Sequence, residues 1–428
     1  MDLFTLKIER WVTGGRGLGH KDGLAVFVPG SVPGDLLQVR LTSRRRNHAS
    51  AAIAAIVQPG PGRIVPHCPH FGICGGCQLQ HMDDTHQLRF KKDVVTDTLT
   101  RIGRFGSGLP VADVGQVSPR WNYRRKASFK VRVVQDRTLL GFHQTGSHRV
   151  VDIAHCPILR PELAALMAPL RSLITKLAIR SQIPQLDVMM GDAGIGLLMH
   201  VLGPLAGADR ERCLEFAQDH HLSRLDLQQG RKDRLTSLVQ MGPLEYHLEG
   251  MICKFLPADF IQVNGEGNVN LVALAMASVD PGGMAWDLFS GIGNFTLPLA
   301  RRHRNVLAVE GHRSSLERLR LNSRRAGIES IHTLHADLFS EAGVEALAKQ
   351  STPELILMDP PREGAAVVCR NIERYQPRRL IYISCDPATF SRDAAILRHL
   401  GGQLRHVAPV DLFPQTFHVE LVAQFDWQ

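Results

Sequence analysis

Short runs in which apolar and polar residues alternate fill residues 1 to 58: Leu3 to Ile8, Leu24 to Val28, Leu36 to Leu41 and Ala51 to Val57, separated by Gly-rich turns. A period of two marks strands, and this many short strands in succession predict a small β-barrel. Pro59-Gly60-Pro61-Gly62 reads as a linker behind it. From 63 to about 257 the pattern is mixed. Strands are expected at Ala127 to Val134 and Gly194 to Val201, and a helix over Asp84 to Ile102, where Leu88, Val95, Leu99 and Ile102 recur at helical spacing. Beyond about 258 helical stretches alternate regularly with strands at Met284 to Phe289, Val306 to Glu310, Leu355 to Met358 and Leu380 to Ile383. Such alternation predicts a doubly wound parallel sheet that binds ligands at the C-terminal ends of its strands. The expected fold class is α/β: a Rossmann-like domain over 258–428, preceded by an OB-like barrel over 1–58 and an α+β central domain over 63–257.

The strand ends carry the chemistry. Trp286-Asp287-Leu288-Phe289-Ser290-Gly291-Ile292-Gly293-Asn294-Phe295 reads as a strand, a glycine turn and a helix start, where the backbone passes close to a ligand. A dinucleotide fingerprint needs a third glycine at 296, which is Thr, so pyrophosphate binding is disfavoured. Glu310 closes the next strand, where a carboxylate accepts hydrogen bonds from both ribose hydroxyls, and Asp337 closes the following one, where it suits an adenine amine. Three strand-end features in this order read as S-adenosylmethionine binding. Asp359-Pro360-Pro361-Arg362 stands where many methyltransferases face their substrate. Amino-directed enzymes place an aromatic after the prolines, which Arg362 is not, and cytosine-5 enzymes place a second cysteine there, whereas the nearest is Cys369.

Cys385, in Tyr382-Ile-Ser-Cys385-Asp-Pro-Ala-Thr-Phe390, lies just past a strand at the mouth of that sheet. Uracil C5 becomes nucleophilic only when something adds to C6, and a thiolate is suited to that addition. The C5 proton must then leave, which requires a base. Glu420, in Phe413-Pro-Gln-Thr-Phe-His418-Val-Glu420, opens the final strand pattern and is one candidate; His418 is the other.

Asp359-Pro-Pro-Arg-Glu-Gly364, the Cys385 segment, the Phe413 to Glu420 segment and Phe260-Ile-Gln262-Val-Asn264 together resemble the RNA (uracil-5-)-methyltransferase family, over nearly the whole chain. Gly14 to Gly19, Val26 to Gly30 and Pro33-Gly34-Asp35 resemble the TRAM domain, an RNA-binding barrel of OB type. The resemblance implies Cys385 as nucleophile and Glu420 as base, and cofactor contacts from Gln262, Phe289, Asn294, Glu310, Asp337 and Asp359. It implies an RNA substrate held by the barrel and the central domain, with the target uridine flipped into the site. The expected target is 23S ribosomal RNA, with a tRNA uridine as the alternative.

Cys68-Pro, Cys74-Gly-Gly-Cys77 and Cys156-Pro supply four thiols, three of them among glycines that leave room for a bulky group. Four thiolates suit a four-iron cluster or zinc, the latter with His67, His70 or His81 replacing one of them. The family resemblance implies a [4Fe–4S] cluster. A radical S-adenosylmethionine enzyme needs a Cys-x3-Cys-x2-Cys spacing, and this chain has five residues in the first gap. Cys213, Cys253 and Cys369 are expected in the core. The formal charge of +9 is concentrated at Arg44 to Arg46, at Arg124-Arg125-Lys126 with Lys130 and Arg132, and at Arg301-Arg302-His303-Arg304, which points to a polyanionic partner. No apolar run approaches a membrane span and no signal pattern opens the chain, so a cytoplasmic monomer acting on RNA, not on DNA or a membrane, is expected.

Overall fold

The computed structural model describes residues 3–230 and 234–427. Strands β1 (Leu3–Lys7), β2 (Arg10–Val12), β3 (Arg16–Lys21), β4 (Leu24–Pro29), β5 (Leu36–Arg44) and β6 (His48–Gln58) form one sheet in the order β1-β5-β6-β4-β3-β2. Its edge strands β1 and β2 are separated only by Ile8 and Glu9, so the two edges are drawn together. There Glu9 N donates to Leu18 O at 2.8 Å and Ile8 N to Asp35 O at 2.9 Å. The alternating positions Leu6, Val26, Val28, Leu37 and Val39 turn inward as a small core. Gly19 is required at the crossing, since a Cβ there would meet Lys7 O at 2.2 Å. The expected linker is no free hinge: Gly60 N donates to the buried Asp35 carboxylate at 2.7 Å, and Arg63 Nε bonds the same group at 2.9 Å.

Helix α1 (Asp84–Arg101) starts where the Asp83 side chain accepts from His86 N, and it ends one residue short of the predicted span. Although it falls within the span 63–257, it packs on the catalytic layer, with Val95 and Leu99 in the catalytic core and Phe90 against Trp11 and Leu79. The helical period reveals that a face is buried but not what covers it. Each of these fully buried side chains stabilises that docking by about 2 kcal/mol. Residues 110–115 then run beside a catalytic strand, with Ala112 N donating to Val407 O at 2.9 Å and Gly115 N to Pro409 O at 3.0 Å.

The central sheet contains β7 (Lys126–Val134), β8 (Arg137–His143), β9 (Val150–Asp152), β10 (Gln185–Met190), β11 (Ile195–Val201), β12 (Leu222–Gln229) and β13 (Arg234–Gln240), in the order β13-β12-β11-β10-β7-β8-β9. Helices α2 (Pro161–Ala165), α3 (Met167–Lys176) and α4 (Gly207–Asp219) cover one face through Leu170, Ile174 and Cys213 on Phe129, Val188 and Leu197. The other face carries Ser128, Lys130, Asp187 and His200. The hairpin β14 (Glu245–Leu248) and β15 (Met251–Lys254) packs into the catalytic layer.

That layer follows the predicted alternation: α5 (Gly265–Ala277), β16 (Gly282–Leu288), α6 (Thr296–Ala300), β17 (His303–Glu310), α7 (Arg313–Arg325), β18 (Ile331–His335), α8 (Glu341–Ala348), β19 (Leu355–Met358), α9 (Ala366–Arg370), α10 (Ile372–Tyr375), β20 (Arg379–Ser384), α11 (Pro387–His399), β21 (Gln403–Val410) and β22 (Glu420–Asp426). The order is β18-β17-β16-β19-β20-β22-β21, parallel from β18 to β20, with β22 antiparallel to both neighbours. Strand order reverses at β16/β19, where such sheets open a ligand crevice. β22 enters between β20 and β21 with Leu421 opposite Ser384, which brings Glu420 beside Cys385. Among the described residues no helix is long and apolar enough to cross a membrane.

Candidate active site

The crevice opens into a cavity of about 1380 Å³ that reaches from the C-terminal ends of β16 to β20 to the central sheet. After β16 the backbone turns left-handed at Phe289 (φ 63°), Gly291 (54°) and Gly293 (102°), which exposes the amide edge of the loop. The Glu310 carboxylate is fixed at both oxygens, accepting from Gly291 N at 3.0 Å and from His312 N at 2.8 Å. Glu310, Phe289, Asp337, Asp359 and Gln262 all line the cavity.

The Asn294 side chain faces α5, exchanging bonds with Asn268 at 2.8 and 2.9 Å and accepting from Tyr246 Oη at 3.1 Å, so from this position the glycine turn has its backbone to offer a cofactor.

Cys385 and Glu420 both line the cavity, beside Asp359, Arg362 and His418. Glu420, at 3 % exposure, is no solvated strand-start residue. Burial, with the Asp359 charge added, pushes its carboxyl up to about 8, while Arg362 and Lys91 oppose the shift. Asp359 faces the cavity yet lies deep enough that lost hydration raises it to about 7. Burial raises the Cys385 thiol to about 12, and the charges of Glu420 and Asp359 reinforce that. Two features favour the thiolate: the Arg362 charge, and a position two residues before α11, whose N-cap Asp386 accepts from the Ala388 and Thr389 amides. Burial, then the positive charge of Arg362, pushes His418 down to about 4. It is therefore a neutral, weakly basic imidazole, and Glu420 is the better proton acceptor.

Cys68, Cys74, Cys77 and Cys156 line the far wall of the same cavity, unpaired with one another. Their loop is tied to the central sheet, with Gly75 N donating to His143 O at 2.9 Å and Thr145 N to Ile73 O at 3.1 Å. His81 turns away toward Ser31 O, at 3.4 Å, and so faces the N-terminal sheet. Among the described residues no three His, Cys, Asp or Glu side chains are arranged to hold a single metal ion.

Residues 85–424 match the family model described as tRNA (uracil-5-)-methyltransferase. The chain belongs to that family. It is an RNA (uracil-5-)-methyltransferase, as its motifs indicate. Among its relatives, proteins named 23S rRNA (uracil(1939)-C(5))-methyltransferase RlmD from Alkalilimnicola ehrlichii and Azoarcus sp. are 38 % and 37 % identical. They cover 96 % and 99 % of this chain, and 94 % and 99 % of their own length. The crystal structure of Pyrococcus abyssi tRNA (uracil-54, C5)-methyltransferase with S-adenosyl-L-homocysteine shares the fold at a TM-score of 0.74. It is 22 % identical and covers 99 % of this chain and all of its own.

In this methyltransferase the basic clusters divide sharply. Arg44 to Arg46 are exposed at the end of β5. By contrast Arg125 is buried, donating to Gln262 O at 3.0 Å and stacking 4.7 Å over the Tyr246 ring, while Lys126 Nζ donates to Asp259 O at 2.8 Å. Arg302 is paired with Glu249 at 3.0 Å. Within the same two clusters, however, Arg124 and Lys130 line the cavity and Arg132, Arg301 and Arg304 are exposed, so each divides between building the molecule and offering charge. Sequence reasoning named Phe260 within a motif but gave it no role, and it is 72 % exposed on the cavity rim. It treated Arg362 only as a departure from another motif, although the guanidinium approaches His418 Nε2 at 3.5 Å. A charged residue directly after a substrate-facing Asp-Pro-Pro was the available signal.

Proposed function

We propose that this methyltransferase transfers a methyl group from S-adenosylmethionine to uracil C5 of 23S ribosomal RNA through a covalent Cys385 adduct. The observation that carries the reading is the juxtaposition of Cys385, Glu420 and Asp359 in one cavity with the Glu310 and Asp337 strand ends. The Cys385 thiolate bonds to C6, and the displaced electron pair makes C5 nucleophilic. When bound, the cofactor supplies an electrophilic methyl group and a positive charge. After the methyl group reaches C5, Glu420 takes the C5 proton, the C6–S bond breaks, and the electron pair of that bond returns to Cys385 as thiolate. The exposed Phe260 suits stacking on an unpaired base at the cavity mouth. The ribosomal target rests on the relatives named for it.

The thiol set supports a [4Fe–4S] cluster: four unpaired cysteines line the same cavity, and four thiolates suit a four-iron cluster. Cys68, Cys74, Cys77 and Cys156 would hold that cluster. The six-stranded N-terminal sheet, whose edges meet, supports a TRAM-type barrel that grips the RNA backbone.

Cys385→Ala is expected to bind cofactor but form no adduct with 5-fluorouridine RNA, because fluorine blocks only the final proton removal. An adduct surviving in that variant would overturn the assignment. Mapping 5-methyluridine in ribosomal and transfer RNA from a deletion strain tests the target, and a loss confined to tRNA would overturn the ribosomal reading.

A further inference from the structure

The loop from Asp411 to Val419 carries Glu420 into the sheet, and most of the side chains that hold it come from outside that sheet. Asp411, fully buried, accepts from Lys91 Nζ on α1 and from Arg120. Lys91 Nζ also donates to Phe413 O at 3.0 Å, and Tyr123 Oη donates to Pro414 O at 3.0 Å. Gln415, left-handed at φ 69°, is bound on both sides by Gln87 of α1: its N–H donates to Gln87 Oε1 and its Oε1 accepts from Gln87 Nε2, each at 3.0 Å. Gln415 O accepts from Gln78 N and Leu79 N, directly after Cys77, at 3.0 Å each. From the catalytic layer Asn264 adds one bond, to Leu412 O at 2.9 Å.

Gln87 at 1 % and Lys91 at 0 % exposure are costly residues to bury, and simple packing would be better served by apolar side chains. The amide of Gln87 is spent wholly on this region, with Met82 O and Arg120 as its remaining partners. Two buried cations, Lys91 and Arg120, bracket the buried Asp411, and Arg120 Nε also bonds the more exposed Asp84 at 2.8 Å, so every charge under the segment that leads to Glu420 has a partner.

We propose that Gln87 and Lys91 are positioning residues for the catalytic base, holding the 411–419 loop so that the Glu420 carboxylate meets the C5 proton of the adduct. The proposal rests on the assignment of Glu420 as that base. It requires that the two residues serve the release step and leave formation of the Cys385 adduct alone, since Cys385 is held separately by β20 and α11.

Gln87→Met and Lys91→Met keep side-chain volume while removing the amide and the charge. Both are expected to bind S-adenosylmethionine and to form the 5-fluorouridine adduct at the rate of the unmodified enzyme. On unmodified RNA turnover should fall about tenfold, with methylated RNA accumulating on the protein. In Lys91→Met the pH profile of release should also move upward, because a positive charge near Glu420 is lost. Equal losses in adduct formation and release, or normal release in both variants, would overturn the proposal. If Lys91→Met does not fold, Gln87→Met alone decides. Glu420→Gln is run in parallel. Failure of that variant to accumulate methylated adduct removes the base assignment and the proposal together, whereas accumulation there but not in Gln87→Met removes the proposal alone.

Discussion

Glu420 is asked to be two things at one position, a well-buried side chain and an ionised base. With its carboxyl raised to about 8 in the fold and near 4 in the unfolded chain, the folded state holds an extra proton between those values. Stability from this group is therefore present below about pH 4 and is lost as pH rises through about 8. The release step has the opposite slope, because only the ionised carboxylate takes a proton. Glu420→Gln is expected to melt with the unmodified enzyme at about pH 5 and several degrees above it at about pH 9, as read by calorimetry across that range. A melting difference independent of pH would show that the carboxyl is not strained. The residue types and strand-end places of Cys385, Glu420, Glu310 and Asp359 were legible because chemistry restricts both. Lys91 was illegible, since its partner Asp411 lies 320 residues away and nothing local marks a lysine as buried.

At the scale of elements, the alternating strands and helices beyond 258 were legible because each repeats its own period. The placement of α1 was not, since an amphipathic helix records the width of its apolar face and not the identity of its neighbour. Charge patterning was legible only in part: Arg125 and Lys126 turn into the protein, whereas Arg124 and Lys130 line the cavity and Arg44 to Arg46 leave β5 for solvent. If the N-terminal sheet grips RNA, replacing Arg44, Arg45 and Arg46 with Ala should weaken RNA binding and flatten the dependence of log affinity on log salt by roughly 0.7 to 0.9 for each phosphate no longer neutralised. S-adenosylmethionine affinity, measured alongside, should be unchanged. An unaltered salt slope would remove the sheet from the electrostatic footprint. Point changes are the cleaner test, because deleting residues 1–58 would strip Trp11 and Val32 from Phe90 and Met82.

At the scale of the whole molecule a large cavity lies between the central and catalytic sheets and is lined by both the four thiols and the nucleophile. Anaerobically prepared protein is expected to be brown and to carry about four irons per chain. Cys74→Ser should lose iron, colour and thermal stability together, because the thiol loop fastens both to the central sheet through Gly75 and Thr145 and to the 411–419 loop through Gln78 and Leu79. Colourless protein holding stoichiometric zinc would overturn the cluster.

The docking of α1 on the catalytic layer limits how the enzyme can be taken apart. A fragment cut at residue 258, where the change of pattern invites a cut, would uncover the apolar bed of Val95 and Leu99 and leave Asp411 with neither of its cations. Such a piece is expected to aggregate on expression, while the same piece co-expressed with residues 1–257 should be recovered in soluble form by complementation. The methylating half is thus not a portable cassette. Transplanting it onto another RNA-binding module would have to carry along a helix encoded some 160 residues upstream of that cut.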